Sequence, residues 1–336
     1  MRGLTRSTTV RLTLSSLFQT VQERLGISVV PSHFYFPVPE IKSFCGKDWS
    51  ACRPCVGIDF RLDNQVRRLR TEILPFASEW GMLAEQSNCA AHKFHFNNGF
   101  FEHVDAEVAY SFVRSRKPRR IVEVGCGHST LLMAAAMRRN AAEGAEGEYI
   151  GVEPHPSRFL KGGVPGLTRM LEVRVQEAPL EIFRALRAGD ILFIDSSRVV
   201  SIGSDVLQEC LRILPELAPG VLVHFHDIFS PLDYPEKFVK TNLCFWGEQY
   251  LLEAFLAFNS AFQVVWAASA MQQFHPEVLQ KAFPAWKGSF LRIPAELKLF
   301  SPSLDGENVW PCSLWMERQI AGSTRAALCP GKPGGG

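Results

Sequence analysis

From residue 120 onward, short apolar runs alternate with segments of helical periodicity, and this alternation restricts the fold more than any other feature of the chain. Buried parallel strands form continuous apolar runs because both of their faces are covered. The pattern therefore predicts an α/β fold, with a Rossmann-like, mostly parallel sheet of seven strands and helices on both faces. The strands are expected at residues 120–124, 148–153, 171–176, 190–195, 221–226, 261–269 and 288–293.

The sequence outside this alternation suggests four regions. Residues 1–28 form a basic, partly helical segment, and residues 29–117 form an accessory extension of helices and loops that packs on the core. In that extension, helices are predicted at 63–85 and 105–116, the first broken at Pro75 because proline cannot continue a helix. Residues 118–295 form the sheet domain. The tail, residues 296–336, is weakly patterned, and its glycine-rich end is expected to be disordered.

The amino-acid composition restricts the classes of molecule that the protein is expected to bind. The 336 residues include 36 Lys and Arg against 34 Asp and Glu, and a formal net charge of +2 lacks the concentrated basic surface that nucleic-acid binding needs. No apolar stretch is long enough to predict a membrane-spanning helix. Nine cysteines in so large a chain indicate reduced thiols and a cytoplasmic protein. A small-molecule or saccharide substrate fits this charge better than a polyanion, and a homo-oligomer is compatible with it.

A glycine turn follows the first predicted strand, with the sequence Glu123-Val-Gly125-Cys126-Gly127-His-Ser129-Thr130. In α/β folds a nucleotide-like ligand binds where such a strand turns into a helix. The third glycine of the dinucleotide pattern is replaced by Thr130, and the acid at Glu123 disfavours a phosphate but suits an ammonium group. S-adenosylmethionine has an amino-acid moiety and no phosphate. The alternative is a tight turn that binds nothing.

Acids also end the second and third predicted strands. Glu153 is placed to accept hydrogen bonds from two ribose hydroxyls. Glu177, which precedes Ala178, is placed either to accept from an adenine amino group or to cap the following helix.

The fourth and fifth predicted strands end in Asp195 and in the pair His226 and Asp227. Two carboxylates and an imidazole at one rim can hold a divalent cation such as Mg²⁺, or His226 can deprotonate a substrate hydroxyl. A strand points successive side chains to opposite faces, so His226 and Asp227 can both join one site only if the strand has already ended.

Together these motifs resemble the class I S-adenosylmethionine-dependent methyltransferases, of the branch that contains small bacterial sugar and natural-product O-methyltransferases. The matching stretches are residues 119–130, 190–197, 202–205, 217–229 and 248–256, and the resemblance covers roughly residues 25–293. It implies methyl transfer to a small-molecule or saccharide hydroxyl. The cofactor-binding residues that it implies are Glu123, Gly125, Cys126, Gly127, Ser129, Glu153, Glu177, Ala178 and Asp195.

The chain departs from the family at two positions. Metal-dependent relatives carry an acid where this chain has His226, and the pattern Ile-Asp-Ser-Ser-His places a histidine base where this chain has Arg198. A guanidinium cannot accept a proton at neutral pH. The candidate catalytic residues are therefore His226, Asp227, Asp195 and Arg198, and the candidate cation ligands are Asp195, His226 and Asp227. A non-catalytic binding protein on a methyltransferase fold is the alternative, and an NAD-dependent oxidoreductase is disfavoured by the glycine turn.

Overall fold

The computed structural model describes residues 22, 24, 38–83, 93–286 and 311–320. The chain divides into two compact units, Met1–Asp48 and Trp49–Gly336. In the first unit, the described residues include a 3₁₀ turn at Ile41–Phe44. The sheet and the candidate site lie in the second unit.

A seven-stranded sheet forms the centre of the second unit. Its strands are β1 Arg120–Val124, β2 Glu148–Val152, β3 Arg169–Leu171, β4 Ile191–Ile194, β5 Leu222–Phe225, β6 Phe262–Ala267 and β7 Leu314–Arg318. The strand order is β3-β2-β1-β4-β5-β7-β6. The first five strands pair in parallel, and β7 lies antiparallel between β5 and β6. The predicted fold, a mostly parallel α/β sheet of seven strands, is confirmed.

One predicted strand was misplaced, and another lies outside the described residues. The third was expected at 171–176, but β3 pairs with β2 through only three residues and residues Val175–Glu177 form a 3₁₀ turn. The stretch expected to be the seventh strand, 288–293, lies outside the described residues. The seventh strand is β7, in the segment expected to be a weakly patterned tail, so the sheet domain extends beyond residue 295. Its apolar run, Leu314, Trp315 and Met316, is fully buried but too short to stand out as a pattern.

Helices connect and cover the strands in the described part of the chain. They are α1 Leu62–Arg68, α2 Asp105–Arg116, α3 His128–Ala142, α4 Arg158–Lys161, α5 Leu180–Arg184, α6 Asp205–Gln208, α7 Leu214–Glu216, α8 Glu236–Lys240, α9 Glu248–Leu256, α10 Ala268–Phe274 and α11 Pro276–Ala282. The helix expected at 63–85 is interrupted as Pro75 predicts, because α1 gives way to a π turn and then to 3₁₀ structure at Leu74–Met82.

The sheet separates two apolar cores, as strand alternation requires. On β1, Ile121 packs in one core with residues of α2 and α3, whereas Val122 packs in the other with residues of α5 and α9. Helices therefore cover both faces. Within the described residues, no helix is both long and apolar enough to span a membrane. The carboxyl ends of β1, β2 and β4 meet at one edge, where open α/β sheets bind ligands.

Candidate active site

The glycine turn after β1 is held tightly against both neighbouring strands. The Gly125 N–H donates to the Val152 carbonyl at 3.0 Å, and the Asp195 N–H donates to the Val124 carbonyl at 2.9 Å. Gly125 has a φ of +82°, and a Cβ built there would lie 1.9 Å from the Asp195 carbonyl oxygen. Only glycine fits this position. Gly127 has a φ of −160°, and a Cβ there would meet no atom within 4 Å.

Glu123 lies beneath the turn, where its side chain is fully buried. It accepts hydrogen bonds from Ser129 Oγ at 2.6 Å, Thr130 Oγ1 at 2.7 Å and the Tyr149 hydroxyl at 2.6 Å. Burial raises the pKa of Glu123 to about 7, although these hydroxyls act in the opposite direction. The expectation that this carboxylate faces a ligand's ammonium group is wrong, because strand alternation directs it into the core with Ile121. Its contacts instead fix the start of α3.

The raised pKa of Glu123 predicts a pH-dependent stability. Between its ordinary pKa of 4.5 and about 7, the folded state keeps a proton that the unfolded state releases. The free energy of unfolding therefore falls as the pH rises through this interval. We expect Glu123→Gln to reduce that fall between pH 5 and 7 by about 2 kcal/mol in urea denaturation, since glutamine does not ionise. Identical pH slopes for the wild type and the variant would contradict this role.

Two cavities open beside the turn and share Gly125, Glu153 and Asp195 in their walls. The first cavity, of about 320 Å³, is also lined by Phe100, Phe101, Cys126, Gly127, His128, Ser129, Ser157, Phe159 and Arg198. The second cavity, of about 430 Å³, is also lined by Pro154, Arg174, Val175, Gln176, Ser196, Ser197 and Asp205, among others. The shared residues make the carboxyl edge of the sheet the common wall of both cavities.

Glu153 is oriented by two backbone donors. Its Oε2 accepts from the Cys126 N–H at 3.2 Å, and its Oε1 accepts from the His155 N–H at 2.7 Å. The carboxylate is therefore fixed where the two cavities meet. Burial raises the pKa of the neighbouring Cys126 thiol well above its usual range, so this thiol in the cavity wall is neutral.

Arg198 joins the ends of β4 and β5 through ion pairs with Asp195 and Asp227. Burial disfavours its charge, but Asp227 and Asp195 outweigh burial and raise the pKa of Arg198. Burial likewise disfavours the charge of Asp227, but Arg198, aided by His226, outweighs it and lowers the pKa of Asp227. Both partners of the Arg198–Asp227 pair are therefore ionised at neutral pH.

His226 lies beneath this cluster with 2% of its surface exposed, and it is not among the residues that line either cavity. Its Nδ1 lies 3.8 Å from Asp195 Oδ1 and 3.6 Å from Asp227 Oδ1. On the other side, its Nε2 lies 3.8 Å from both Asp105 Oδ2 and Cys312 Sγ. The structure thus brings His226 and the two strand-end acids together, but it places the imidazole behind the cavity wall.

A family model matches the central part of the chain. Residues 122–228, which run from β1 past β5 and contain the glycine turn, Glu153, Asp195 and Asp227, match the family model described as a methyltransferase domain. Residues 122–228 therefore form a methyltransferase domain. An uncharacterized protein from Archaeoglobus fulgidus is 28% identical over 179 residues, which span 50% of this chain and 78% of that protein.

Similar solved structures include an O-methyltransferase from Bacillus cereus in complex with SAH. It has a TM-score of 0.33 at 12% identity, and the match covers 74% of this chain and 88% of the Bacillus cereus chain. The structure described as cmcI-D160 Mg-SAM has a TM-score of 0.29 at 14% identity and covers 66% and 73%.

Glu177 was expected to face a cofactor, but its side chain is exposed to solvent. Its carboxylate accepts a hydrogen bond from Arg174 Nε at 2.9 Å, and Ala178 beside it is buried in the core. Because the chain forms a 3₁₀ turn here instead of the expected strand, Val175 and Gln176 line the second cavity in its place. The expectation that Glu177 faces the cavity is wrong.

His128, Asp105 and Cys312 are residues of the candidate site that sequence reasoning missed. His128 lies in the first cavity between the rings of Phe100, stacked at 5.6 Å, and Phe159 at 5.2 Å. Burial lowers the pKa of His128 to about 4, so its ring is neutral at pH 7. Its position inside the glycine turn was a signal in the sequence. Asp105 and Cys312 are distant in sequence, and only the fold brings them to His226.

The candidate cation ligands lie close together but already have a counter-charge. Ligand atoms of Asp195, His226 and Asp227 lie within 4.8 Å of one another. However, the Arg198 guanidinium pairs with both carboxylates. A divalent cation beside this guanidinium would meet strong like-charge repulsion. The residues present therefore do not fit the Mg²⁺ that the family resemblance suggested.

Proposed function

We propose that this methyltransferase transfers a methyl group from S-adenosylmethionine to a hydroxyl oxygen of a small molecule or saccharide. The observation that carries the proposal is the pair of cavities that meet at Gly125, Glu153 and Asp195, on the carboxyl edge of the sheet. The cofactor extends across both cavities, and the first cavity also brings an acceptor to the methyl group of the cofactor.

The charges and shapes of the two cavities suggest how the cofactor is oriented. Glu153, at the junction, is placed to accept hydrogen bonds from the ribose hydroxyls. The second cavity, beside Val175 and Gln176, then takes the adenine. The methionine part extends past Gly127, where the absence of a side chain leaves room for it. The carboxylate of Asp195 lies in the wall of both cavities and favours a positively charged sulfonium.

The first cavity supports the chemistry of transfer to oxygen. When bound, the cofactor supplies an electrophilic methyl group: the new O–CH₃ bond forms as the S–CH₃ bond breaks, and the acceptor loses its hydroxyl proton. The chain aligns the acceptor and excludes water with Phe100 and Phe159. Asp195 and the neutral ring of His128 are two wall residues that can accept the proton. Arg198 stabilises negative charge on the acceptor oxygen.

The aromatic wall suits an acceptor with a ring. Phe100 is 48% exposed and stacks on His128 at an interplanar angle of 8°. A partly exposed aromatic surface of this kind covers the apolar face of a saccharide or another small ring. The near-neutral overall charge also favours such a molecule over a nucleic acid. Seven described cysteines are unpaired, which supports a reducing, cytoplasmic location.

A non-catalytic binding protein is a second candidate. Arg198 favours it, because this residue stands where the related O-methyltransferases are expected to have a histidine base and a guanidinium cannot accept a proton. In that case the cofactor would bind and no methyl group would leave it.

Methyl transfer can be tested by incubating the protein with methyl-labelled S-adenosylmethionine and a cell extract, with and without a chelator. We expect label in the saccharide or small-metabolite fraction, at the same rate with the chelator because Arg198 supplies the local positive charge. Label in protein or nucleic acid would contradict the proposed acceptor. Cofactor binding without label in any fraction would favour the second candidate.

A further inference from the structure

We propose that Arg198 is a built-in substitute for a divalent cation, whose guanidinium fills the position between Asp195 and Asp227. Removal of this side chain would then create a divalent-cation site from Asp195, His226 and Asp227. The proposal concerns cation binding and holds whichever acceptor the enzyme methylates.

The side chains that would bind the cation already lie close together. One carboxylate oxygen of Asp195, one of Asp227 and the Nδ1 of His226 lie within 4.8 Å of one another. His226 Nδ1 is buried, and it has no hydrogen-bond partner in the described part of the chain. Carboxylate oxygens suit Mn²⁺, and an imidazole nitrogen is a ligand for many transition metals. This set would therefore suit a cation if the guanidinium were not there.

The guanidinium is held in place at several points. Arg198 Nη2 pairs with Asp195, Nε pairs with Asp227, and Nη1 donates to the Ser196 carbonyl at 2.9 Å. Its charged group also lies 5.2 Å from the centre of the Trp246 ring, within the range of a cation–π interaction. These contacts fill the site from one side and leave the side chain only 18% exposed.

The backbone of Arg198 is held in a left-handed conformation by hydrogen bonds to its carbonyl. Arg198 has a φ of +64°, a left-handed conformation that costs free energy in a residue other than glycine. Its carbonyl accepts from the N–H groups of Gly247 at 3.0 Å and Glu248 at 3.2 Å, at the start of α9. The site thus retains a strained arginine that joins two acids. Glycine adopts the same left-handed backbone without strain, and the replacement removes the guanidinium from the site.

The test is Mn²⁺ binding to Arg198→Gly, measured by the electron paramagnetic resonance of free Mn²⁺. We expect the variant to bind one Mn²⁺ per chain at least about tenfold more tightly than the wild type. Mn²⁺ should also raise the Tm of the variant and leave that of the wild type unchanged, because a ligand stabilises the state that binds it. Adding Asp227→Asn to the variant should abolish both effects.

The matched control is Arg61→Gly, which also removes an arginine with a left-handed backbone, at a φ of +54°, away from both cavities. This control and Arg198→Lys, which keeps a cation at the site, should behave as the wild type does. A folded Arg198→Gly protein, checked by circular dichroism, that binds Mn²⁺ no better than the wild type would overturn the proposal. If Arg198→Gly does not fold, Mn²⁺ binding to the wild-type protein is the test. Binding to the wild type that Asp227→Asn abolishes would overturn the proposal. Absence of such binding would support it.

Discussion

Gly125→Ala is expected to slow methyl transfer by at least about a hundredfold and to lower the free energy of unfolding by about 2–5 kcal/mol. The added Cβ would lie 1.9 Å from the Asp195 carbonyl oxygen, so the ends of β1 and β4 must separate. The φ of +82° adds a second cost for any residue with a side chain. Displacement by about 1 Å of the residues that align the reaction typically costs about a hundredfold in rate. Urea denaturation and the labelled-methyl assay measure the two effects.

Gly127→Ala is the control for this variant, because it adds the same methyl group in the same turn. Gly127 has an extended φ of −160°, and its new Cβ would meet no atom. We expect its free energy of unfolding to stay within about 0.5 kcal/mol of the wild type. Equal destabilisation by the two variants would show that the contact between Gly125 and Asp195 does not set the turn.

Glu153→Ala is expected to weaken binding of S-adenosylhomocysteine, the reaction product, by about 100-fold. Each hydrogen bond from a neutral donor to a charged carboxylate contributes about 1.5–3 kcal/mol, and we propose that the Glu153 carboxylate, which lines both cavities, binds two ribose hydroxyls. The variant also loses the carboxylate's bonds to the N–H groups of Cys126 and His155, which order the wall. Isothermal titration calorimetry measures the change in Kd.

Glu177→Ala is the matched control for Glu153→Ala. It removes the acid that sequence reasoning also placed at the cofactor, but this side chain is exposed and paired with Arg174. Its Kd should equal that of the wild type. A large loss of affinity in Glu177→Ala, with none in Glu153→Ala, would reverse the assignment of the second cavity.

The sequence was sufficient wherever a local pattern determines the structure. β1 and α2 lie within the predicted bounds because a continuous apolar run and a helical stripe each define one element. The glycine turn was located correctly because only glycine allows the left-handed backbone and close approach at Gly125. The mostly parallel sheet followed from the repetition of these units.

The errors arose where distant parts of the chain determine the structure. β7 has only a short apolar run. It forms a strand because it pairs with β5 on one side and with β6 on the other. The orientation of Glu123 depends on hydroxyls from α3 and β2, so its position before the glycine turn was misleading. In the sequence, Arg198 indicated only that the histidine base expected at this position is absent. Its pairing with Asp227, 29 positions away, is visible only in the fold.

We propose that the glycine turn and Glu153 form the binding site of a methyltransferase cofactor. The most direct test is a calorimetric titration of the wild-type protein with S-adenosylhomocysteine, and separately with NAD, both in the presence of a chelator. We predict binding of one S-adenosylhomocysteine per chain and no binding of NAD. Absence of S-adenosylhomocysteine binding, or binding that is unchanged in Glu153→Ala, would contradict this assignment of the binding site.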